Sequence, residues 1–552
     1  MLCAMARIQR AATKIHRMRH PQVTITPPPP GITFERDVEV PMRDGTILRA
    51  NIFRPAAPGR YPAILSAHPY GKDRLPRRRR DGTYVVPRQY RLLTQDQDFA
   101  HSAWTSWEAP DPAFWVPRGY VLVNADLRGW GRSDGDGELF SAQEGIDGHD
   151  LVEWTAAQGW CTGRVGMAGV SYLAITQWRT AATRPPHLAA ILPWEGLTDL
   201  YRDFAYPGGI REDGFSILWD AMLTVARRRS AGLRRLMRDH PLRDGAWADR
   251  DPALEEIEVP ALVCGSFSDQ SLHTRGSFEG FGRIGSTQKW LYTHRGPKWA
   301  TFYSPEALAA QARFFDHFLR DDPTGIDRQP PVRLEVRSSA HDIAAVTHER
   351  SWPPPDLEPR MLHADVVNGA LAERPPTRTA ARRTRRTVRF RYRFDRPTDV
   401  IGAYRLRISV SAERDDLTLF AHVSKRAGGA ETPFEGSYGF TGDAIAHGWL
   451  RASHRAGEKT PPGSSPAHPH DRVTPVPPGA IVLLDLELLP SATRFAAGDE
   501  LVLEVGDRWL FPTNLLTGSF PARYTRTPRQ RWAVHTGPDA ETTLEFATRA
   551  VR

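Results

Sequence analysis

The stretch Gly169-Val170-Ser171-Tyr172 places one serine where the apolar run VGMAGV gives way to the helix-like YLAITQW. A serine hydroxyl is a poor nucleophile near neutral pH and needs a base within hydrogen-bond reach, itself oriented by a carboxylate. Asp269 stands directly after the apolar run VPALVCGSFS, and His294 directly after KWLYT. Ser171, Asp269 and His294 thus follow the order serine, acid, histidine at the ends of predicted strands, the order found where the serine sits on a strand-to-helix turn. The chemistry of such a set is acyl transfer, the hydrolysis of an ester or amide through an acyl-enzyme at Ser171.

Other readings compete with this one. A Gly-x-Ser turn also serves as an ordinary connection, and Leu173 replaces the second glycine of the G-x-S-x-G pattern. Asp199, in WEGLTDL, is a second acid that follows a strand-like run. His273 lies inside the helix-like SLHTRGSFEGFG and reads as a packing or surface histidine. His68 and His149 do not fall after an acid in the required order. No H-E-x-x-H or comparable ligand cluster occurs, and Cys3, Cys161 and Cys264 are too scattered for a zinc site or a disulfide framework. No metal and no cofactor is expected.

The elements that must position these residues are legible as hydrophobic patterns. ITFERDVEVPMRDGTILRANIFRP alternates around Arg43-Asp44-Gly45 and predicts a hairpin. YPAILSAHPY, GYVLVNADLRG, VGMAGVS, LAAILPWEG, VPALVCGSFSD and KWLYTHRG read as buried strands. EGIDGHDLVEWTAAQ, YLAITQWRTAAT and PEALAAQARFFDHFLR read as helices. That alternation predicts a parallel sheet with crossover helices. Beyond about residue 330, YRLRISVSA, DLTLFAHVSK, AIVLLDLELLP, DELVLEVGD and TTLEFATR predict an antiparallel sandwich, with HRAGEKTPPGSSPAHPHD as a long exposed loop.

These readings divide the 552 residues into a basic, Pro-rich tail over 1–31, an α/β-hydrolase domain over 32–196 and 255–330 with an inserted helical cap at 197–254, and an all-β sandwich over 331–552. The 40% hydrophobic and 25% charged composition is that of a folded globular protein. The net charge of +9 rests largely on arginine, as in RRRRDG (77–82) and ARRTRRTVRFRYRF (381–394). Both runs read as solvated loops, because no nucleic-acid-binding module accompanies them. No apolar span reaches membrane length and no secretory leader is recognisable, so a cytoplasmic location is expected, without nucleic acid or membrane partners.

The segments VPMRDGTILRANIFRP, HPYGK (68–72), ADLRGWGRSDG (125–135), GVSY followed by ITQW, DQSLHTRGSFEGF and GPKWATFYS together resemble the X-Pro dipeptidyl-peptidase and cocaine-esterase group, the CocE/NonD-type hydrolases. The resemblance covers roughly residues 35 to 552 and implies a jelly-roll for the terminal sandwich. It implies the same catalytic set, Ser171, Asp269 and His294. It also implies an oxyanion hole made of the Tyr70 hydroxyl and the backbone N–H of Tyr172. Phe267, in CGSFSD, stands where relatives carry a pocket-lining indole, and Ala174 where a glycine is common. Trp194, with Trp160, Trp219 and Phe215, is a further candidate lining residue. The substrates so implied are small esters or amides, or short peptides. An Xaa-Pro dipeptidyl-peptidase would need a carboxylate for the substrate ammonium, and Glu195, Asp199, Asp203, Glu212 and Asp213 are the available acids. Esterase or acylase activity is the favoured expectation and dipeptidyl-peptidase activity the alternative. An inert binding protein built on the sandwich is the rival of a different class, and a homodimer is compatible with all three.

Overall fold

The buried apolar runs become the strands of one mixed sheet in a computed structural model that describes residues 12–93, 97–224, 230–457, 466–511 and 521–551. The hairpin pairs β1 (Ile32–Pro41) with β2 (Ile47–Pro55), and Gly45 takes the positive φ of 84° that its turn requires. Six parallel strands follow: β3 (Tyr61–His68), β4 (Val121–Asp126), β5 (Cys161–Val170), β6 (Leu188–Trp194), β7 (Ala261–Ser266) and β8 (Lys289–His294). Their spatial order is β2-β4-β3-β5-β6-β7-β8. β4 and β7 are buried along their whole length, which is why they read as continuous apolar runs rather than alternating ones. The chain steps from β3 outward to β4 and then returns past β3 to β5. At such a reversal the carboxyl ends of neighbouring strands open a crevice. Tyr70 follows β3 at that crevice and Ser171 follows β5.

Helices α1 (Ala142–Ala156) and α2 (Tyr172–Ala182) cross at close range because α1 carries small residues at the contact: a Cβ on Gly148 would lie 1.9 Å from Thr180 Oγ1. Between β6 and β7 the chain leaves the sheet through irregular helical turns and α3 (Phe215–Leu223). After β7 come α4 (Thr274–Arg283), α5 (Lys298–Phe302) and α6 (Pro305–Arg320), the last capped by Ser304, whose hydroxyl accepts from the Ala307 N–H at 3.2 Å. One expectation for the early chain changes. Residues 12–19 are helical and Val23–Thr26 pairs in parallel with Phe99–Ser102, so this part of the anticipated tail is ordered against the body. Residues 1–11 lie outside the described residues.

β9 (Val332–Ser339) pairs with β8 and turns back into β10 (Asp342–Glu349). From there the chain is β-rich. One antiparallel sheet runs β11 (Glu358–Asp365), β19 (Thr542–Ala550), β13 (Thr398–Ala412), β16 (Val482–Phe495) in space. A second runs β12 (Thr387–Arg393), β17 (Glu500–Gly506), β14 (Thr418–Ala427), β15 (Ala446–Arg451). Leu406, Leu486 and Leu544 of the first share one core with Phe390, Leu419 and Leu503 of the second. β18 (Trp532–Thr536) pairs with 380–384, so the arginine run at 381–394 is strand, not loop. There Arg389 reaches Glu504 at 2.5 Å across the ladder. In the anticipated exposed loop 454–471, His454 and His470 are buried with their Nδ1 atoms 3.2 Å apart, and residues 458–465 lie outside the described residues.

Candidate active site

β5 ends and α2 begins at Ser171, whose φ is 61°. A positive φ costs a residue with a side chain about 1–3 kcal/mol and survives only where its surroundings impose it. Here the Ser171 N–H donates to the Trp194 carbonyl at 3.0 Å, while the Ser171 carbonyl accepts from Ala174 and Ile175. Gly169 makes the bend possible: its φ is 141°, and a Cβ there would lie 2.5 Å from Leu173 Cβ. Leu173, the residue that breaks the glycine pattern, thus packs against the glycine that remains. Ala174 fits beside Gly196, where a Cβ would come within 2.8 Å of its own. Glu108 and Glu195 also have positive φ, 65° and 53°, and the Glu108 carbonyl accepts from the Val170 N–H.

Ser171 Oγ lies 3.1 Å from Nε2 of His273, and His273 Nδ1 contacts Asp269 Oδ2. The structure therefore places His273, and not the expected His294, between serine and acid. The correction has a local cause. Asp269 opens a turn in which its carbonyl accepts from the N–H groups of Leu272, His273 and Thr274. Residues four apart on such a turn share a face, so acid and imidazole meet without a second loop. His294 is the last residue of β8. Its ring stacks on Trp194 at 5.9 Å, and Nε2 is 3.1 Å from Glu195 Oε1. The rival acid Asp199 is held by Arg202 at 2.5 Å.

The pair is buried in a charged nest. Lys298 Nζ, fully buried at the start of α5, donates to Asp269 Oδ2 at 2.6 Å and lies 2.9 Å from His273 Nδ1 and 3.5 Å from Glu195 Oε2. Burial disfavours the Asp269 carboxylate, but Lys298 and His273 hold it well below the usual carboxylate range. Burial, reinforced by Lys298, lowers the His273 imidazole against the opposing pull of Asp269. Burial pushes Glu108 up to about 8 despite Lys298. Glu108 Oε1 accepts from Trp299 Nε1 at 3.3 Å.

Ser171 and His273 open into a cavity lined by Tyr70, Glu108, Phe215, Trp219 and Tyr438, so α3 and the β-rich region both contribute walls. Tyr70 lines the cavity beside Ser171; Trp219 Nε1 donates to its hydroxyl at 3.4 Å, and burial holds that hydroxyl protonated far above the ordinary tyrosine range. The Tyr172 ring lies against Trp219 at 6.1 Å in the cavity wall, while its hydroxyl is engaged, donating to Glu144 at 2.6 Å and accepting from the Phe140 N–H. Three expected lining residues, Phe267, Trp194 and Trp160, are absent from the cavity wall. Phe267 stacks on Phe278 at 5.3 Å in the core, and Trp194 lies buried against Tyr292, His294 and Phe302. Trp219 and Phe215 do line it.

Sequence reasoning missed His273, Lys298 and Glu108. The Asp-x-x-x-His spacing from 269 to 273 was the available signal, and it was masked because the segment also reads as amphipathic helix. Lys298 sits in the quoted GPKWATFYS, and nothing in the sequence pairs it with Asp269.

Two family models match the chain: X-Pro dipeptidyl-peptidase (S15 family) over residues 44–235, and X-Pro dipeptidyl-peptidase C-terminal non-catalytic domain over 324–545. Cocaine esterase of Rhodococcus sp. (strain MB1 Bresler) is 28% identical over 377 residues, which is 58% of this chain and 60% of that protein; the match spans less than two thirds of that relative. The crystal structure of a CocE/NonD family hydrolase from Staphylococcus aureus superposes with a TM-score of 0.88 at 33% identity, covering 96% of this chain and 99% of the other. An alpha-amino acid ester hydrolase structure, 16% identical with a TM-score of 0.70 over 94% of this chain and 97% of its own, shares the fold.

Proposed function

The chain belongs to the CocE/NonD family of hydrolases, and from that premise we propose that it cleaves esters or amides of small acyl groups through an acyl-enzyme at Ser171. The observation that carries this is the unbroken contact chain Ser171, His273, Asp269. His273 Nε2 takes the hydroxyl proton as Oγ attacks the acyl carbon, and returns it to the leaving alkoxide or amine. Asp269 fixes the ring and stabilises the imidazolium. The Tyr70 hydroxyl and the Tyr172 N–H stabilise the oxyanion, each donor contributing about 10²- to 10³-fold in rate. Water, activated by the same imidazole, then hydrolyses the acyl-enzyme. We read the parallel sheet as an α/β-hydrolase domain (32–196 and 255–330), 197–254 as its cap and 331–552 as a jelly-roll, in a cytoplasmic enzyme whose Cys161 and Cys264 are free and buried.

Esterase or acylase activity is favoured over dipeptidyl-peptidase activity, because the acids at the cap boundary are already engaged. Glu212 accepts from the N–H groups of Gly214, Phe215, Ser216 and Arg523; Asp203 pairs with Arg275 at 2.8 Å; Glu195 takes Lys298 and the Ser437 hydroxyl. One observation favours the second reading: Glu108 lines the cavity with its Oε2 unpartnered among the described residues. An incoming ammonium would draw that carboxyl into its ionised form. A panel of p-nitrophenyl acetate and butyrate against Gly-Pro and Ala-Pro anilides, with Ser171→Ala as control, decides between them. Ester turnover lost in Ser171→Ala supports the first reading. Dominant anilide turnover that falls at least tenfold in Glu108→Gln supports the second, and activity surviving Ser171→Ala refutes both.

A further inference from the structure

Lys298 is not required by the steps above, yet it touches the group on which they depend. Its Nζ is 2.6 Å from Asp269 Oδ2, 2.9 Å from His273 Nδ1, 3.4 Å from the Tyr438 hydroxyl and 3.5 Å from Glu195 Oε2, and it lies 4.7 Å from the Tyr438 ring centroid. A fully buried ammonium is costly unless compensated. Asp269 and Glu195 outweigh that cost and hold the lysine charged. From this geometry we propose that Lys298 is a positioning residue: its ammonium clamps the Asp269 carboxylate against which the His273 ring is aligned, and through that clamp sets the acidic limit of the reaction. The inference rests on the reading of Ser171, His273 and Asp269 as the reacting set.

The electrostatic coupling runs through Nδ1. An ammonium has donors only. With the ring's proton on Nδ1, shared with Asp269, Nε2 is left free to accept from Ser171, and the 2.9 Å contact sets one donor against another. Protonating the ring adds a second positive charge at that contact, so Lys298 disfavours the imidazolium while Asp269 and Glu195 favour it. Among the described residues, Glu108 and the neutral phenols of Tyr70 and Tyr438 are the other ionisable groups facing the pair. One cation thus serves the carboxylate and keeps the base available as pH falls.

The test starts from wild-type protein labelled by a fluorophosphonate at Ser171; absence of labelling refutes the hydrolase reading itself, independently of Lys298. With labelling in hand, pH profiles of kcat and kcat/KM for p-nitrophenyl acetate are recorded for Lys298→Met, Lys298→Arg and Glu195→Gln, with thermal unfolding to confirm folding. In Lys298→Met the proposal expects kcat to fall by about tenfold or more at near-constant KM, and the acidic limb of kcat/KM to move up by about one pH unit. Lys298→Arg keeps the limb near its wild-type position. Glu195→Gln, which removes an opposing carboxylate, moves the limb down, and if Lys298→Met does not fold, Lys298→Gln decides in its place, with the same upward shift expected. An unmoved limb in folded Lys298→Met, or an upward shift in Glu195→Gln, overturns the proposal.

Discussion

At the scale of single residues, the site is governed by burial working against charge. Lys298, Asp269, Glu195 and His273 are all withdrawn from water, and their mutual distances decide which forms persist. In the proposed reaction His273 must be neutral to accept the Ser171 proton, and because burial with Lys298 lowers its pKa, the acidic limb of kcat/KM is expected below 6.5, the ordinary histidine value. A pH–rate profile on a neutral ester checks this, and a limb above 6.5 contradicts it. Glu108 carries a stability consequence of defined sign. Its folded pKa, raised to about 8, means that the folded state holds a proton the unfolded chain has released. Stability contributed by that proton is present below about 4.5 and declines as pH rises through 8. Glu108→Gln should therefore flatten the fall in thermal stability between pH 5 and 8, read by differential scanning calorimetry.

At the scale of elements, the strand-to-helix bend depends on Gly169. An alanine there meets Leu173 at a φ that side chains avoid, so Gly169→Ala should cost about 2–5 kcal/mol in urea unfolding, from strain and overpacking together. Leu173→Ala in the same background should recover part of the loss. The strands were readable because parallel strands buried on both faces appear as apolar runs, and β5, β7 and β8 fall where VGMAGVS, VPALVCGSFSD and KWLYTHRG predict them. The positions of Ser171 and Asp269 after strands were readable for the same reason, and both contact His273. The histidine was not. A residue at a strand end looks aimed at the crevice, but His294 still belongs to β8 and its ring packs on Trp194, whereas His273 reaches the site through a turn whose sequence imitates a helix. Strand-forming arginines misled in the opposite direction: 387–393 alternates Arg with Val, Phe and Tyr, and that period of two outweighs the charge.

At the scale of the whole molecule, the site is shared between the sheet and the β-rich region. Tyr438 closes the cavity, the Ser437 carbonyl accepts from the Lys298 N–H at 2.9 Å, and the Ser437 hydroxyl donates to Glu195. Arg295 ties the same halves, donating from one guanidinium to the carbonyls of Phe267 at 2.8 Å, Ala444 at 2.5 Å and Ile445 at 3.2 Å. Arg295→Met would remove the donor to Ala444 while Gln270 Nε2 still serves the Phe267 and Ile445 carbonyls, and an expected loss of about 1–3 kcal/mol should appear as a lowered Tm with reduced activity; an unchanged Tm would deny the joint this role. The arrangement on which the reaction turns is that chain segments ending at Ser171 and Asp269 bring a hydroxyl and a carboxylate to the two nitrogens of His273. Its most direct measurement is kcat/KM on p-nitrophenyl acetate for His273→Ala beside His294→Ala. The account predicts a fall of about 10⁴-fold or more in the first and activity within about tenfold of wild type in the second. The reverse pattern, with His294→Ala inactive and His273→Ala near wild type, would contradict it.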